Sequence, residues 1–269
     1  TTNFILTKMS QQGMAYEAAL KQAQELGFAE DDPTSDVEGL DAARKVAILG
    51  TLGFHMNLVF EDVRVRGITG VTPEDIDYAR QLGYTIKLLG IAQIDDGLVE
   101  LSVEPTMIPS NHPLAAVNDE YNAIYVYGRA VGETMFYGPG AGMLPTASAV
   151  VADLVTVMKN LKLGVNGRAI VSPYRPKQLK TDEQIELKLF LRLIAEDKAG
   201  VLARMTQILA KHDVSLERIL QRPYEKGVSE IVIVTHTAPK KALDAVIGEL
   251  ENLEVIREIR SRYRVEGGN

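Results

Sequence analysis

The stretch IELKLFLRLIAEDKAGVLARMTQILAK, residues 185–211, decides the fold of the C-terminal part of the chain. Apolar residues alternate with polar ones from Ile185 to Ile194, which is the period of a half-buried strand. From Ala199 to Lys211 they recur at helical spacing, with Met205 and Leu209 on the inward face. The stretch therefore predicts a strand, a tight turn and an amphipathic helix.

The same order of elements repeats further along the chain. The pattern predicts strands at Ser215–Leu220, Ile231–Thr235 and Val255–Val265, and a helix at Pro239–Leu250. The order βαββαβ within about 80 residues is typical of a ferredoxin-like module with its helices on one face. In its first turn, Asp197 stands where it can cap the helix, and Gly200 allows a ligand or a neighbouring backbone to approach closely.

Upstream, helices come first and strands follow. Helices are predicted at Met14–Leu26, from Leu40, from Thr72 to Gly83 and at Pro145–Leu161, and strands at Thr85–Ile94, Leu98–Val103, Ala123–Tyr127 and Ala130–Tyr137. Asp95-Asp96-Gly97 predicts a hairpin turn. The acidic segment Glu30–Asp36, with Pro33 inside it, predicts an irregular loop.

The elements divide the chain into three parts. The pattern predicts a first domain at residues 1–160, a linker at residues 161–183, and the ferredoxin-like module at residues 184–269. The predicted fold class is α+β, a mixed sheet covered by helices and followed by the βαββαβ module. The linker carries a basic run that favours a solvated connector over a site for an anionic partner. Its basic residues are Lys162, Arg168, Arg175, Lys177 and Lys180.

Composition excludes several classes of function. The net charge of −7 argues against nucleic acid as a partner, and no apolar run is long enough for a membrane span. The absence of cysteine excludes disulfides and thiolate chemistry and fits a cytoplasmic protein. The four histidines show no pair at metal-ligand spacing, so no metal site is expected.

The densest polar group is Glu30, Asp36, Asp41 and Lys45. Asp41 and Lys45 are four residues apart and share one helix face, so an ordinary surface ion pair explains them. A second interpretation is catalytic: the carboxylates hold a substrate ammonium group, and Lys45 donates a proton or polarises a carbonyl. Spacing alone does not decide between the two.

The glycine-rich segment Gly138–Gly142 also has two explanations. A turn of this kind before a helix attracts anions such as phosphate, because helix N-termini present free N–H groups. The segment lacks the spacing of a dinucleotide fingerprint or a P-loop, so a tight strand-to-helix turn explains it equally well.

Several motifs in one order closely resemble homoserine dehydrogenases. They are Thr1–Leu6, Leu26–Pro33, Asp36, Gly39–Asp41, Ala43–Lys45, Ile86–Gly90, His112–Leu114 and Gly138–Gly142. The resemblance implies reversible, NAD(P)-dependent reduction of aspartate 4-semialdehyde to homoserine, in the biosynthesis of threonine, methionine and isoleucine. It also implies that residues 1–160 are the substrate-binding, catalytic and dimerisation domain, and that the chain starts inside a domain and lacks the nucleotide-binding Rossmann part.

The resemblance implies a role for individual residues. Lys45 is the proton donor; Glu30 and Asp41 bind homoserine, with support from Thr1 and Asp36; and Gly27 and Gly142 face the nicotinamide. Phe28 stands where some family members carry Tyr, so one hydroxyl contact is in doubt. The ligands of a monovalent cation that the intact family members hold lie in the nucleotide-binding part, outside this chain.

The C-terminal module resembles an ACT domain, which in this family implies feedback by threonine through Asp197 and Gly200. Many modules of this shape only pair edge to edge, so the residues leave effector binding and simple association open. A homodimer or tetramer is expected. Two alternatives to the dehydrogenase remain: a non-catalytic amino-acid-binding and dimerisation unit, and a dehydrogenase of a related semialdehyde.

Overall fold

The computed structural model describes residues 1–140, 142–165 and 173–267, and the first of these ranges opens with four helices. They are α1 (Thr2–Gln12), α2 (Tyr16–Glu25), the single turn α3 (Thr34–Val37) and α4 (Leu40–Phe54). Helix α1 was not predicted as a separate element. It ends because Gly13 takes a left-handed conformation, with φ of 66°. The prediction of a wholly irregular acidic loop is wrong for Thr34–Val37, because Asp32 accepts hydrogen bonds from Thr34 and starts a helical turn.

Local signals placed the next elements correctly. Helix α5 (Pro73–Gln81) begins with the capping box of Thr72 and Asp75. The hairpin of β2 (Tyr84–Asp95) and β3 (Leu98–Pro109) turns through Asp96 and Gly97, whose φ angles of 47° and 83° suit a two-residue hairpin turn. The short strand β1 (Arg64–Val65) pairs parallel with β3.

A second hairpin stands apart from the main sheet. Among the described residues, strands β4 (Tyr121–Gly128) and β5 (Gly132–Pro139) pair with each other and with no further strand, and they lead to helix α6 (Met143–Lys162). No residue of α6 is buried, although apolar side chains such as Leu154 and Met158 lie along it. A helix of this length with exposed apolar side chains along it is typical of an interaction face.

The C-terminal part confirms the βαββαβ order. Its elements are β6 (Glu186–Glu196), α7 (Val201–Lys211), β7 (Leu216–Glu225), β8 (Val228–Thr235), the two-residue strand β9 (Ala238–Pro239), α8 (Lys240–Glu251) and β10 (Ile256–Val265). Its four long strands lie in the order β10-β6-β8-β7, all antiparallel. Helices α7 and α8 pack on one face of this sheet around Met205, Leu209 and Leu250.

The two parts share one sheet. Strand β10 pairs parallel with β3, with Arg264 opposite Thr106 and Val265 opposite Met107. Beneath this junction the buried Glu100 accepts a hydrogen bond from Arg264 and pairs with Arg64 at 2.9 Å. The domain boundaries at 160 and 184 stay a prediction, but the units that they separate are joined along a strand.

The two parts also share a core. The sheet face opposite α7 and α8 presents Phe190 and Val232, which belong to the same buried cluster as Phe4 and Ile5 of α1 and Tyr78 of α5. The first part therefore covers the face that an isolated ferredoxin-like module would expose to solvent. The C-terminal module is not an independent globule.

A buried polar network crosses this shared core. The Arg192 guanidinium on β6 lies 2.8 Å from Asp75 of α5 and 2.9 Å from Glu230 of β8. Tyr263 donates to Asp75 at 2.7 Å, and Tyr78 donates to Glu230. Burial, together with the Glu230 hydrogen bond, raises the pKa of Tyr78 to about 12. These contacts tie α5 to the C-terminal sheet.

Only part of the predicted linker lies in the described residues. Residues 166–172, which include Arg168 of the basic run, lie outside them. From residue 173 onward the segment follows the first part: Lys177 lies 2.9 Å from Asp62, and Lys180 lies 3.7 Å from Asp95. These two lysines neutralise acids of the protein itself, in keeping with the predicted connector.

Candidate active site

The start of α1 meets the loop before α4. The Thr1 hydroxyl lies 2.8 Å from an Asp36 carboxylate oxygen and donates to the Phe28 carbonyl. Asp36 lies in the turn α3, and its carbonyl accepts from the amide of Gly39 at 3.0 Å. Gly39, with φ of 79°, begins α4. A single hydroxyl thus connects the end of α2, the turn α3 and the approach to α4.

Asp41 and Lys45 lie one turn apart on α4. Asp41 is in the first turn, where the positive end of the helix dipole favours a carboxylate. The Lys45 Nζ lies 2.7 Å from Asp41 Oδ2, so the predicted surface ion pair does form. The side chains are 67% and 44% exposed, which leaves both groups accessible to a ligand.

The charged groups of the site converge on the start of α1. Asp36, Asp41 and Lys45 all lie within electrostatic range of the Thr1 main-chain nitrogen. The structure therefore brings together four of the predicted site residues: Thr1, Asp36, Asp41 and Lys45.

Glu30 is the exception among the predicted acids. Its backbone carbonyl accepts from Gln24 at 3.0 Å, and its side chain is exposed. Within the described ranges, no hydrogen bond or ion pair joins its carboxylate to Asp41 or Lys45. Its role in binding stays a prediction.

The predicted cofactor-facing glycines have the backbone freedom that close approach requires. Gly27 follows the end of α2 with φ of 73°, and a Cβ added there would meet nothing within 4 Å. Gly142 precedes α6 with φ of 118°. Gly140 behaves differently, because a Cβ there would overlap the Asn122 side chain, so a tight turn explains this glycine. Ala141, between them, lies outside the described residues.

Comparison with known proteins assigns this arrangement to a family. The homoserine dehydrogenase family model matches residues 1–155, and the ACT domain model matches residues 190–255. The chain belongs to the homoserine dehydrogenase family.

Homoserine dehydrogenases of several bacteria match nearly the whole chain. The enzyme of Bacillus subtilis is 55% identical, with 99% of this chain and 62% of the relative covered. That of Pseudomonas aeruginosa is 41% identical, with 99% and 63% covered. The crystal structure of a homoserine dehydrogenase from Thiobacillus denitrificans has a TM-score of 0.88 at 41% identity, and the match covers 98% of this chain and 62% of that one. The chain thus spans less than two thirds of the length of these relatives.

In the ACT domain, Gly200 and Asp197 lie at the turn before α7. Gly200 begins the helix with φ of 92°, and the space around it is open. The prediction that Asp197 caps the helix is wrong, because α7 starts at Val201 and Asp197 lies too early. Instead, the Asp197 carboxylate lies 3.5 Å from the side-chain amide of Gln221. The main-chain N–H of Asp197 donates to the Gly227 carbonyl at 3.0 Å.

Two residues that the sequence analysis did not single out support the site. Lys87 of β2 is buried, and its ammonium group donates to Asn3 of α1 at 2.9 Å. A lysine inside the apolar run Ile86–Gly90 was the available signal, since lysine is almost never buried unless it has partners.

Neither a membrane-spanning helix nor a cluster of metal ligands occurs in the described residues. Their helices include none that is long and apolar enough to cross a lipid bilayer. In the same ranges, no three side chains of His, Asp or Glu gather as metal ligands would.

Proposed function

We propose that the protein to which this chain belongs is a homoserine dehydrogenase that interconverts aspartate 4-semialdehyde and L-homoserine with NAD(P). The observation that carries the proposal is the meeting of Asp36, Asp41 and Lys45 beside Thr1. The family membership supports it. The chemistry requires an ammonium-binding acid and a proton donor within one substrate length, and this group supplies both.

Lys45 is the proposed proton donor. Reduction places negative charge on the carbonyl oxygen, and an ammonium group at hydrogen-bond distance stabilises that charge and then transfers its proton to it. The pairing with Asp41 at 2.7 Å holds the Lys45 ammonium group beside the first turn of α4. In the reverse direction, the neutral amine accepts the hydroxyl proton of homoserine.

Asp41 is proposed to bind the substrate as well. Its Oδ2 faces Lys45, so Oδ1 is left for the ammonium group of homoserine. Glu30 supplies the second carboxylate in this proposal. Asp36, held by Thr1, fixes the loop between them. Together they orient the reacting carbon, a positioning effect on which most of the rate depends.

The nicotinamide, when bound, supplies or accepts the hydride. Gly27 and Gly142 fit a ring that lies against the backbone, because Gly27 is open and both have positive φ. The chain contains no glycine-rich dinucleotide fingerprint, so the adenine and phosphate contacts are proposed for the rest of the protein.

Substitution of Lys45 tests the proposed function. In the full-length protein, Lys45→Ala should reduce turnover by at least a thousandfold while homoserine still binds in calorimetry. Lys21→Ala, an exposed lysine of α2 that lies 3.9 Å from Glu25, is the matched control and should keep full activity. Retained activity in Lys45→Ala would refute the role of Lys45.

We further propose that threonine regulates the enzyme through the turn at Asp197 and Gly200. The ACT match and the open space around Gly200 support this proposal. Since the module shares its core with α1 and α5, a point substitution is a better test than a truncation. Asp197→Ala should weaken threonine binding and inhibition with activity unchanged; equal inhibition of variant and parent would count against it.

A second candidate function applies to the chain by itself, which spans 62% of its Bacillus subtilis relative. In this alternative it binds the amino acid and associates with a second copy without catalysing a reaction. Exposed aromatic residues on the β4–β5 hairpin, such as Tyr127 and Phe136, favour association into a dimer or tetramer. Analytical ultracentrifugation and homoserine calorimetry on the chain alone test this candidate, and a monomer that binds no homoserine would contradict it.

A further inference from the structure

Lys87 is a buried cation in an unusual position. It lies on β2 opposite Thr106 with only 6% of its surface exposed. Its Nζ donates to Asn3 Oδ1 at 2.9 Å and to the carbonyl of Val117. Both acceptors are neutral, and no carboxylate in the described ranges forms an ion pair with it. Asp119 acts on it only at longer range and is paired with Lys8 at 3.0 Å.

The first acceptor leads to the substrate end of the site. Asn3 lies in the first turn of α1, directly after Thr1 and Thr2. Its amide group also donates to the carbonyls of Asp119 and Tyr121, at 3.1 and 2.9 Å. Lys87 therefore fixes the helix end from which Thr1 holds Asp36.

The second acceptor leads to the glycine turn. Val117 begins the loop that enters β4 at Tyr121, and Tyr121 pairs with Pro139. The next residue, Asn122, pairs with Gly138 and packs against Gly140. The one ammonium group thus connects the central sheet to both segments that the proposed reaction needs.

The burial of this lysine is electrostatically unfavourable. Burial lowers the pKa of Lys87 to about 8, which means that the fold disfavours its charged form. A charge that opposes folding is kept where position matters more than stability, and two converging segments at a site provide such a reason.

We propose that Lys87 is a positioning residue of the active site, which holds the start of α1 and the loop at 117–121 against the sheet so that Thr1 and Asp36 keep their places. This inference rests on the proposed function. It assigns Lys87 no contact with substrate and no share in proton transfer.

Kinetics of full-length variants test the inference. Lys87→Met keeps the length of the side chain but removes the donor, and Asn3→Ala removes the acceptor with Lys87 intact. Both should raise KM for homoserine and weaken its calorimetric affinity by about tenfold or more, since displacements of an ångström cost this much. kcat should fall as well, by more than the unfolded fraction accounts for, because the same displacement misorients the reacting carbon. Lys21→Met is the control for loss of a lysine charge and should behave as the parent.

The possible outcomes distinguish a failure of the inference from a failure of the proposed function. If the variants lose kcat in proportion to their unfolded fraction while KM stays at the parent value, Lys87 is merely structural and the inference is wrong. Unchanged kinetics in both variants would overturn it as well, with the proposed function intact. If the parent neither binds nor converts homoserine, the proposed function is wrong, and the inference is wrong with it.

Discussion

Replacement of Arg192 by methionine should destabilise the protein strongly. Its guanidinium is 6% exposed and faces two buried acids, Asp75 at 2.8 Å and Glu230 at 2.9 Å. Loss of one partner from a buried ion pair costs about 3–5 kcal/mol, because the remaining charge stays in a poorly solvated place. Asp75 keeps its bonds from Tyr263 and Ser261, but these donors are neutral. The expected loss is a large share of a total stability of about 5–15 kcal/mol.

Urea unfolding measures this loss. Arg192→Met should lower the free energy of unfolding by about 3–5 kcal/mol with the slope against urea unchanged. A double variant that adds Glu230→Gln removes one of the two uncompensated charges, keeps an acceptor for Tyr78, and should recover part of the loss. Lys241→Met, which breaks an exposed pair with Glu183, is the control and should keep the parent midpoint. A loss below about 1 kcal/mol in Arg192→Met would refute the reasoning.

Two further predictions concern stability. Gly39→Ala should lower the free energy of unfolding in urea more than Gly27→Ala does. Both residues have positive φ, which costs an alanine about 1 kcal/mol, but only at Gly39 would the new Cβ meet Val103, at 2.9 Å. Equal losses in the two variants would contradict this contact. The pKa of Lys87 is about 8 in the folded protein and 10.5 in the unfolded chain, so the unfolded chain binds more protons between these pH values. The free energy of unfolding of the parent should therefore rise with pH across this window relative to that of Lys87→Met. The same pH dependence in both proteins would contradict the lowered pKa.

Elements with local signals were predictable from the sequence. The helix start at Thr72 and the hairpin turn at Asp95–Gly97 each depend on a few neighbouring residues, and both formed as predicted. Helix α1 was missed because Gly13 and the residues around it were not recognised as its end. The helical turn at Thr34 depends on the hydrogen bonds that the Asp32 carboxylate accepts from Thr34, which composition does not reveal.

Contacts between segments that are far apart in the sequence could not be predicted. The parallel pairing of β10 with β3 joins Arg264 to Thr106, and no periodicity in either strand marks its partner. The same holds for Arg192, which the sequence shows only as a charge in an apolar strand. Pairing across the chain is decided by tertiary packing, which local pattern does not encode.

The candidate site divides in the same way. Helical spacing predicted the Asp41–Lys45 contact, and the structure confirms it. The family resemblance supplied Thr1 and Asp36, which the residues alone did not connect. The link from Lys87 to Asn3 escaped both, because it depends on where α1 meets the sheet.

The pairing of β10 with β3 has a consequence for engineering and for evolution. A domain that is attached by a flexible linker can be replaced by another domain without changes to the rest of the protein. Here strand β10 pairs with β3 of the first part, and the module face opposite α7 and α8 packs against that part. A transplanted module would need a matching last strand and a matching apolar face. Any displacement of the native module relative to the first part would have to deform the sheet that they share.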